Sequence, residues 1–263
     1  MKARARRALG IGLQASDLAS ATTGGSGLFL GRFGLADIRR ELAEAGVLSA
    51  LRERGYPDPR IHIEAGDGEH RLIVAPTEGE ESLIDLRMSE GTLPVTEPAL
   101  RARGVEMLSA LVVGWLALQD PRASFTAERP RLPGQTHPGL GLGRHLYTRV
   151  LGWASSWGKD ALVNVPAYFH NARFYAPPFS FLSAAEQGRF EALVRDLGPL
   201  AVAAASAAID EGRVIEKPSG QVVRWIPGDM LAPLSTAVRD YVGSSEYLGA
   251  VAAARAGRRF RLA

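Results

Sequence analysis

Between residues 111 and 165 the sequence leaves few folds open. Residues 111–118, Leu-Val-Val-Gly-Trp-Leu-Ala-Leu, are a continuous apolar run short enough for a strand buried on both faces. A Pro-, Gly- and Arg-rich stretch without period follows at 120–143, and such a long loop in a folded domain usually carries function or stays disordered. Residues 144–157 then turn Leu146, Val150, Trp153, Ala154 and Trp157 to one helical face, Gly158 ends the helix, and 161–165 read as a second buried strand. Strand, helix and strand in that order require a crossover with parallel strands, which excludes an all-helical or all-antiparallel design.

Around this unit the pattern is mixed. Residues 1–34 read as an arm, with Thr-Thr-Gly-Gly-Ser-Gly at 22–27 as linker and Leu28, Phe29, Leu30 and Phe33 as docking residues. A helix is expected over 35–51. A hairpin is expected from strands 60–65 and 70–76 around Gly66-Asp67-Gly68, and a third strand over 82–88. A helix is expected at 98–108. After residue 183 the chain reads as helices at 184–197, 200–210, 230–242 and 247–256, one strand-like piece at 221–226 and a basic tail. The fold class is α/β in the broad α+β sense, a mixed twisted sheet with added helices. The expected division is an arm (1–34), an α/β domain (35–183) and a mostly helical C-terminal extension packed on it (184–263). The Leu, Val and Ile positions of that extension read as core or as a homodimer surface.

Composition narrows the chemistry. The 263 residues include no cysteine, so disulfides, thiolate metal sites and cysteine nucleophiles are excluded, and a reducing, cytoplasmic setting is expected. Net charge is +3, and Lys2, Lys159 and Lys217 are the only lysines against many arginines, a bias that composition alone explains. No apolar run approaches the roughly 20 residues of a membrane span, so no membrane partner is expected. The basic N-terminus has too short an apolar stretch for a signal peptide. A nucleic-acid partner would need the arginines and basic tail to act without any recognised motif, and none is expected.

Gly139-Leu140-Gly141-Leu142-Gly143, followed by Arg144, opens directly into the helix. Such a turn gathers free backbone N–H groups and the positive end of the helix dipole, which suits phosphate. It is neither the dinucleotide fingerprint nor a P-loop. Arg129, Arg131, Arg144 and Arg173 are candidate phosphate clamps. His137, His145 and His170 could converge, but without a local ligand pair no metal is expected; His62 is a surface residue by default, and His70 is the fifth histidine. Asp85, Glu90 and Glu128 are carboxylates that could orient an amine.

Together, the strand at 111–118, the stretch from Gln135 to Gly143, the strand at 161–165, and Asn171, Ala172 and Tyr175 ahead of Phe179-Ser180-Phe181 resemble the GNAT superfamily of acyl-CoA-dependent N-acyltransferases. The resemblance covers about residues 60–183. It implies that acetyl-CoA or another acyl-CoA is co-substrate and that a small-molecule or peptide amine is the acceptor, attacking directly in a ternary complex. It also implies that Val113 and Trp115 lie along the pantetheine, and that Gln135, Gly139, Leu140, Gly141, Leu142, Gly143 and Arg144 surround the pyrophosphate, with Asn171 assisting. Tyr175 corresponds to the family's general-acid tyrosine, and His170 or Tyr175 would handle protons. A catalytically silent scaffold of the same shape, binding a nucleotide-type ligand or a protein, is the alternative.

Overall fold

The computed structural model describes residues 27–66 and 68–263, so most of the expected arm, including its linker up to Ser26, lies outside the described residues. What is described of it docks: Phe29 and Leu30 are buried in the main core. The helix expected over 35–51 is two helices, α1 (Leu35–Glu44) and α2 (Val47–Glu53). Gly46 divides them at a φ of +74°, a backbone state that glycine adopts without the Cβ penalty.

Seven strands form one mixed sheet in the order β1-β2-β3-β4-β5-β8-β6. The strands are β1 (Arg60–Ala65), β2 (His70–Ala75), β3 (Ile84–Pro94), β4 (Met107–Leu118), β5 (Ala161–Asn164), β6 (Ser180–Phe181) and β8 (Met230–Pro233). All neighbours are antiparallel except β4 and β5, the pair that the crossover helix α4 (Gly143–Ser156) joins. The expected hairpin is β1 and β2. The helix expected at 98–108 is reduced to a single turn, α3 (Pro98–Arg101), and β4 starts at Met107. Leu108 and Ala110 are buried at a spacing of two, the strand signal within that stretch.

The sheet lies between two apolar layers. On one face Leu146, Val150, Trp153 and Ala154 of α4 meet Leu111 and Leu162. On the other, Leu108, Ala110, Ala161, Val163 and Leu231 meet Val238 and Tyr241 of α8 (Thr236–Val242) and Tyr247 and Val251 of α9 (Ser245–Ala256).

The C-terminal part does more than pack on the sheet. It supplies β8, which lies between β5 and β6, so the division at residue 183 cuts through the sheet. The expected helix at 230–242 is β8 followed by α8; Met230, Leu231 and Ala232 are all buried, and a strand covered on both faces has no period to read. Residues 221–226 contribute one isolated bridge, Ile215 with Val222. The basic tail contains β9 (Arg259–Leu262), paired antiparallel with β7 (Val214–Lys217). Helices α5 (Phe169–Tyr175), α6 (Ala184–Asp196) and α7 (Val202–Asp210) complete the chain. Among the described residues, no helix is long and apolar enough to cross a membrane.

Candidate functional site

The parallel pair runs in register from Ala110 with Ala161 to Val113 with Asn164, where β5 ends and β4 continues for five residues. At that point the ladder with β3 slips: Met88 pairs with Val113 and Arg87 with Trp115, leaving Gly114 as the extra residue of a bulge. A Cβ at Gly114 would stand 3.3 Å from a Glu69 carboxylate oxygen. The bulge shifts the alternation by one residue, so that Leu111 and Val113 before it, and Leu116 and Leu118 after it, all belong to the α4-side core. Past Asn164, the edge of β4 that faced β5 has no partner strand among the described residues; the chain rejoins it at its end, where the Leu140 amide donates to the Leu118 carbonyl at 3.4 Å.

That returning chain is the glycine turn. Leu140 and Leu142 are buried and anchor it, whereas Gly141, with a φ of +71°, and Arg144 are exposed. The Leu142 carbonyl accepts the first helical bond, from the Leu146 amide at 3.2 Å. The amides of Gly141, Leu142, Gly143, Arg144 and His145 donate to nothing among the described residues, and no side chain caps α4. A 14-residue helix thus begins, at its positive pole, with a cluster of donors unpartnered among the described residues.

Three guanidinium groups stand by. Arg54, at the end of α2, has a nitrogen 3.9 Å from the position a Gly141 Cβ would occupy. Arg129 donates to the Gly139 carbonyl, and Arg144 has no hydrogen bond or ion pair among the described residues. Arg131 is engaged elsewhere, donating to the Gln135 carbonyl at 2.8 Å and lying over the Phe125 ring, and Arg173 belongs to α5.

Gln135 organises the loop from within: its Oε1 accepts from the Leu132 amide at 3.1 Å, and its amide nitrogen lies 3.9 Å from a Gly139 Cβ position. Gly134 brings the loop against the Tyr168 ring, which would sit 2.6 Å from any Cβ there, so loop and α5 meet.

Asn164 is the polar residue that sequence reasoning passed over. It closes β5, is 4% exposed, and its Oδ1 has no hydrogen-bond donor among the described residues. Leaving such an acceptor unpaired costs about 1–3 kcal/mol. The register places it opposite Val113, where the strands part. A single asparagine in an otherwise apolar four-residue strand was the available signal. The Tyr147 hydroxyl on α4 is also buried without a partner among the described residues, and burial pushes its pKa up to about 12.

The α5 residues are less available. Asn171 Oδ1 accepts from the Tyr168 amide at 3.1 Å and caps α5. His170 is 3% exposed, its Nδ1 is 2.8 Å from Ser206 Oγ of α7, and its ring stacks on Tyr168. Burial lowers its pKa to about 4, so it is neutral above that. Tyr175 packs edge-on to Phe179, which in turn meets Tyr147, and burial raises its pKa to about 12. Val113 and Trp115 are half-buried on the diverging strand.

The histidines do not converge. His137 pairs with Glu81 at 3.0 Å, His145 lies against Gly46, His70 meets Phe29, and His62 is exposed. No group of three His, Asp or Glu side chains able to hold a metal occurs among the described residues. Of the carboxylates, Asp85 is tied to Arg71 at 2.8 Å, Glu90 to Lys159 at 2.6 Å and to Arg32, and Glu128 is exposed.

No protein-family model matches the chain, and no solved structure matches it. Among curated proteins, galectin-12 of Mus musculus is 36% identical over 80 residues, 30% of this chain. The chain spans only about a quarter of that relative's length, 24%, and the match assigns no family.

Proposed function

We propose that this protein is an acyl-CoA-dependent acyltransferase that moves an acyl group to an amine. The observation that carries the reading is the run of five amides, Gly141 to His145, at the start of α4, unpartnered among the described residues, on the chain that follows the end of the β4–β5 pairing. Open donors at a helix N-terminus bind phosphate oxygens, and Arg54, Arg129 and Arg144 add positive charge there. The unpaired Asn164 Oδ1 is suited to an amide N–H of a pantetheine arm running past Val113 and Trp115. The parallel pair β4 and β5, joined through the glycine turn and α4, is an arrangement consistent with the resemblance to the GNAT superfamily.

A bound thioester supplies an acyl carbon open to attack by a neutral amine. The new C–N bond forms as the C–S bond breaks, the nitrogen releases a proton, and the sulfur takes one up. The Tyr175 hydroxyl stays protonated through the neutral range, which suits the donor's role. His170, neutral and held by Ser206, supports the packing of α5 on α7 in this reading and does not exchange protons with substrate.

Isothermal titration with acetyl-CoA, followed by thioester consumption over a panel of amines, tests the reading. Binding with turnover is expected. Tyr175→Phe should keep the affinity and lower kcat about 100-fold or more, the scale of general-acid loss. Absence of any acyl-CoA binding refutes the reading.

A silent, ligand-binding scaffold is the second reading. It is favoured by one observation: the polar groups of both His170 and Asn171 are engaged within the protein. It predicts binding without turnover.

A further inference from the structure

The two-stranded ribbon of β7 and β9 has one face in the core and one in solvent. Val214 and Phe260 point inward and are buried. The register sets Lys217 opposite Arg259 and Ile215 opposite Arg261, and a bridge to Ile215 brings Val222 alongside. These five residues share the outward face, because side chains alternate along a strand and paired residues point the same way. Lys217, Val222, Arg259 and Arg261 are exposed, and Ile215 is half-buried.

This face is cationic and its charges are not neutralised. The carboxylate of the two strands, Glu216, is on the inward face and pairs with Arg258 at 2.9 Å. Arg259 donates to the Ala256 and Arg258 carbonyls and Arg261 to the Leu262 carbonyl. Such contacts orient a guanidinium group without cancelling its charge. Lys217 has no hydrogen bond or ion pair among the described residues. Arg259 and Arg261 are roughly 7 Å apart along their strand. Like charges directly opposite each other destabilise a ribbon, yet Lys217 and Arg259 are such a pair.

Like charges gathered without an internal partner suit an external polyanion. We infer that the outward face of the β7–β9 ribbon binds the phosphate backbone of duplex DNA. Charge complementarity carries the choice: guanidinium forks match phosphate oxygens, and a duplex presents them densely. Phe260 points inward, so the face lacks the aromatic platform on which single strands stack. Ile215 and Val222 are its hydrophobic residues, too small a wedge for a bilayer interface. Contacts to phosphates carry no sequence information, so binding is independent of base sequence. The face lies outside the residues of the acyl-CoA reading and does not depend on it. Pairing alone brings residues 214–217 and 259–262 together, which explains why no nucleic-acid motif marks them in the sequence.

Fluorescence anisotropy of a labelled duplex of about 20 base pairs, with the full chain at about 50 to 150 mM salt, tests this. Three phosphate contacts predict a slope of about −2.7 in log affinity against log salt, about a 20-fold loss over that range. Lys217→Gln/Arg259→Gln/Arg261→Gln should remove most of that dependence and bind at least about tenfold more weakly at the lower salt. The triple variant should melt close to wild type, because the side chains are exposed and a repulsion is relieved. Arg261→Gln alone should lower the slope by about one. The equal charge change at Arg39, Arg52 and Arg101, exposed on α1, α2 and α3, should leave the slope as it is, since it removes no phosphate contact.

Equal DNA binding by wild type and the triple variant overturns the inference. So does the absence of wild-type binding at the lower salt with about 100 µM protein. Association with vesicles of about one-third phosphatidylserine, without binding to DNA, also overturns it and makes the face a membrane contact.

Discussion

A histidine with 3% exposure and a hydroxyl as its partner resists protonation, because charging it would remove a cation from water without an anion to meet it. For His170 the folded pKa, about 4, lies below the ordinary 6.5. Between those values the unfolded chain binds the proton and the folded one does not. Its contribution is therefore fully present above pH 6.5 and is lost as pH falls toward 4, to a total of about 3 kcal/mol. Urea unfolding at pH 6.5 and pH 4.5 checks this: His170→Leu should lose less stability across that window than wild type, and equal losses would contradict the assignment. Gly134 is the second residue whose role is steric. With a φ of +81° and the Tyr168 ring 2.6 Å from its Cβ position, Gly134→Ala should loosen the loop against α5, seen as faster amide exchange at residues 132–135.

At the scale of elements, the tightest contact is between α6 and α9. A Cβ at Gly188 would stand 2.5 Å from the Val251 carbonyl oxygen and 2.6 Å from the Ala254 Cβ, so the helix backbones pack directly. Gly188→Ala should cost about 1–3 kcal/mol by overpacking and lower Tm accordingly, whereas an alanine in an open helical position would stabilise. Elements with a clear period were legible in the sequence. The hairpin β1–β2 has alternating Ile61 and Ile63 opposite Leu72 and Val74, and α4 has its stripe from Leu146 to Trp153. β8 was not legible, because Met230, Leu231 and Ala232 are covered on both faces and lead straight into a helix. The start of β4 is not legible in the sequence, since Leu108 and Ala110 alternate in a stretch that also suits a helix.

For the whole molecule, β8 ties the last third of the chain into the sheet between β5 and β6. A chain ending at Ser183 lacks β8 and leaves β5 and β6 without the strand that joins them. It should give no cooperative thermal transition by circular dichroism, while the full chain gives one; a folded fragment would contradict this architecture. The candidate site was legible only where it is local. The turn and its helix could be read directly, but Arg54 and Asn164 reach it through tertiary packing from α2 and β5, which no local pattern reports. The central claim is that the amides of residues 141–145 are open and receive an anion. It is tested most directly by following backbone amide resonances while coenzyme A is added. Saturable shifts at Gly141, Leu142, Gly143 and Arg144 are the predicted result; shifts confined to other residues, or none at all, would contradict it.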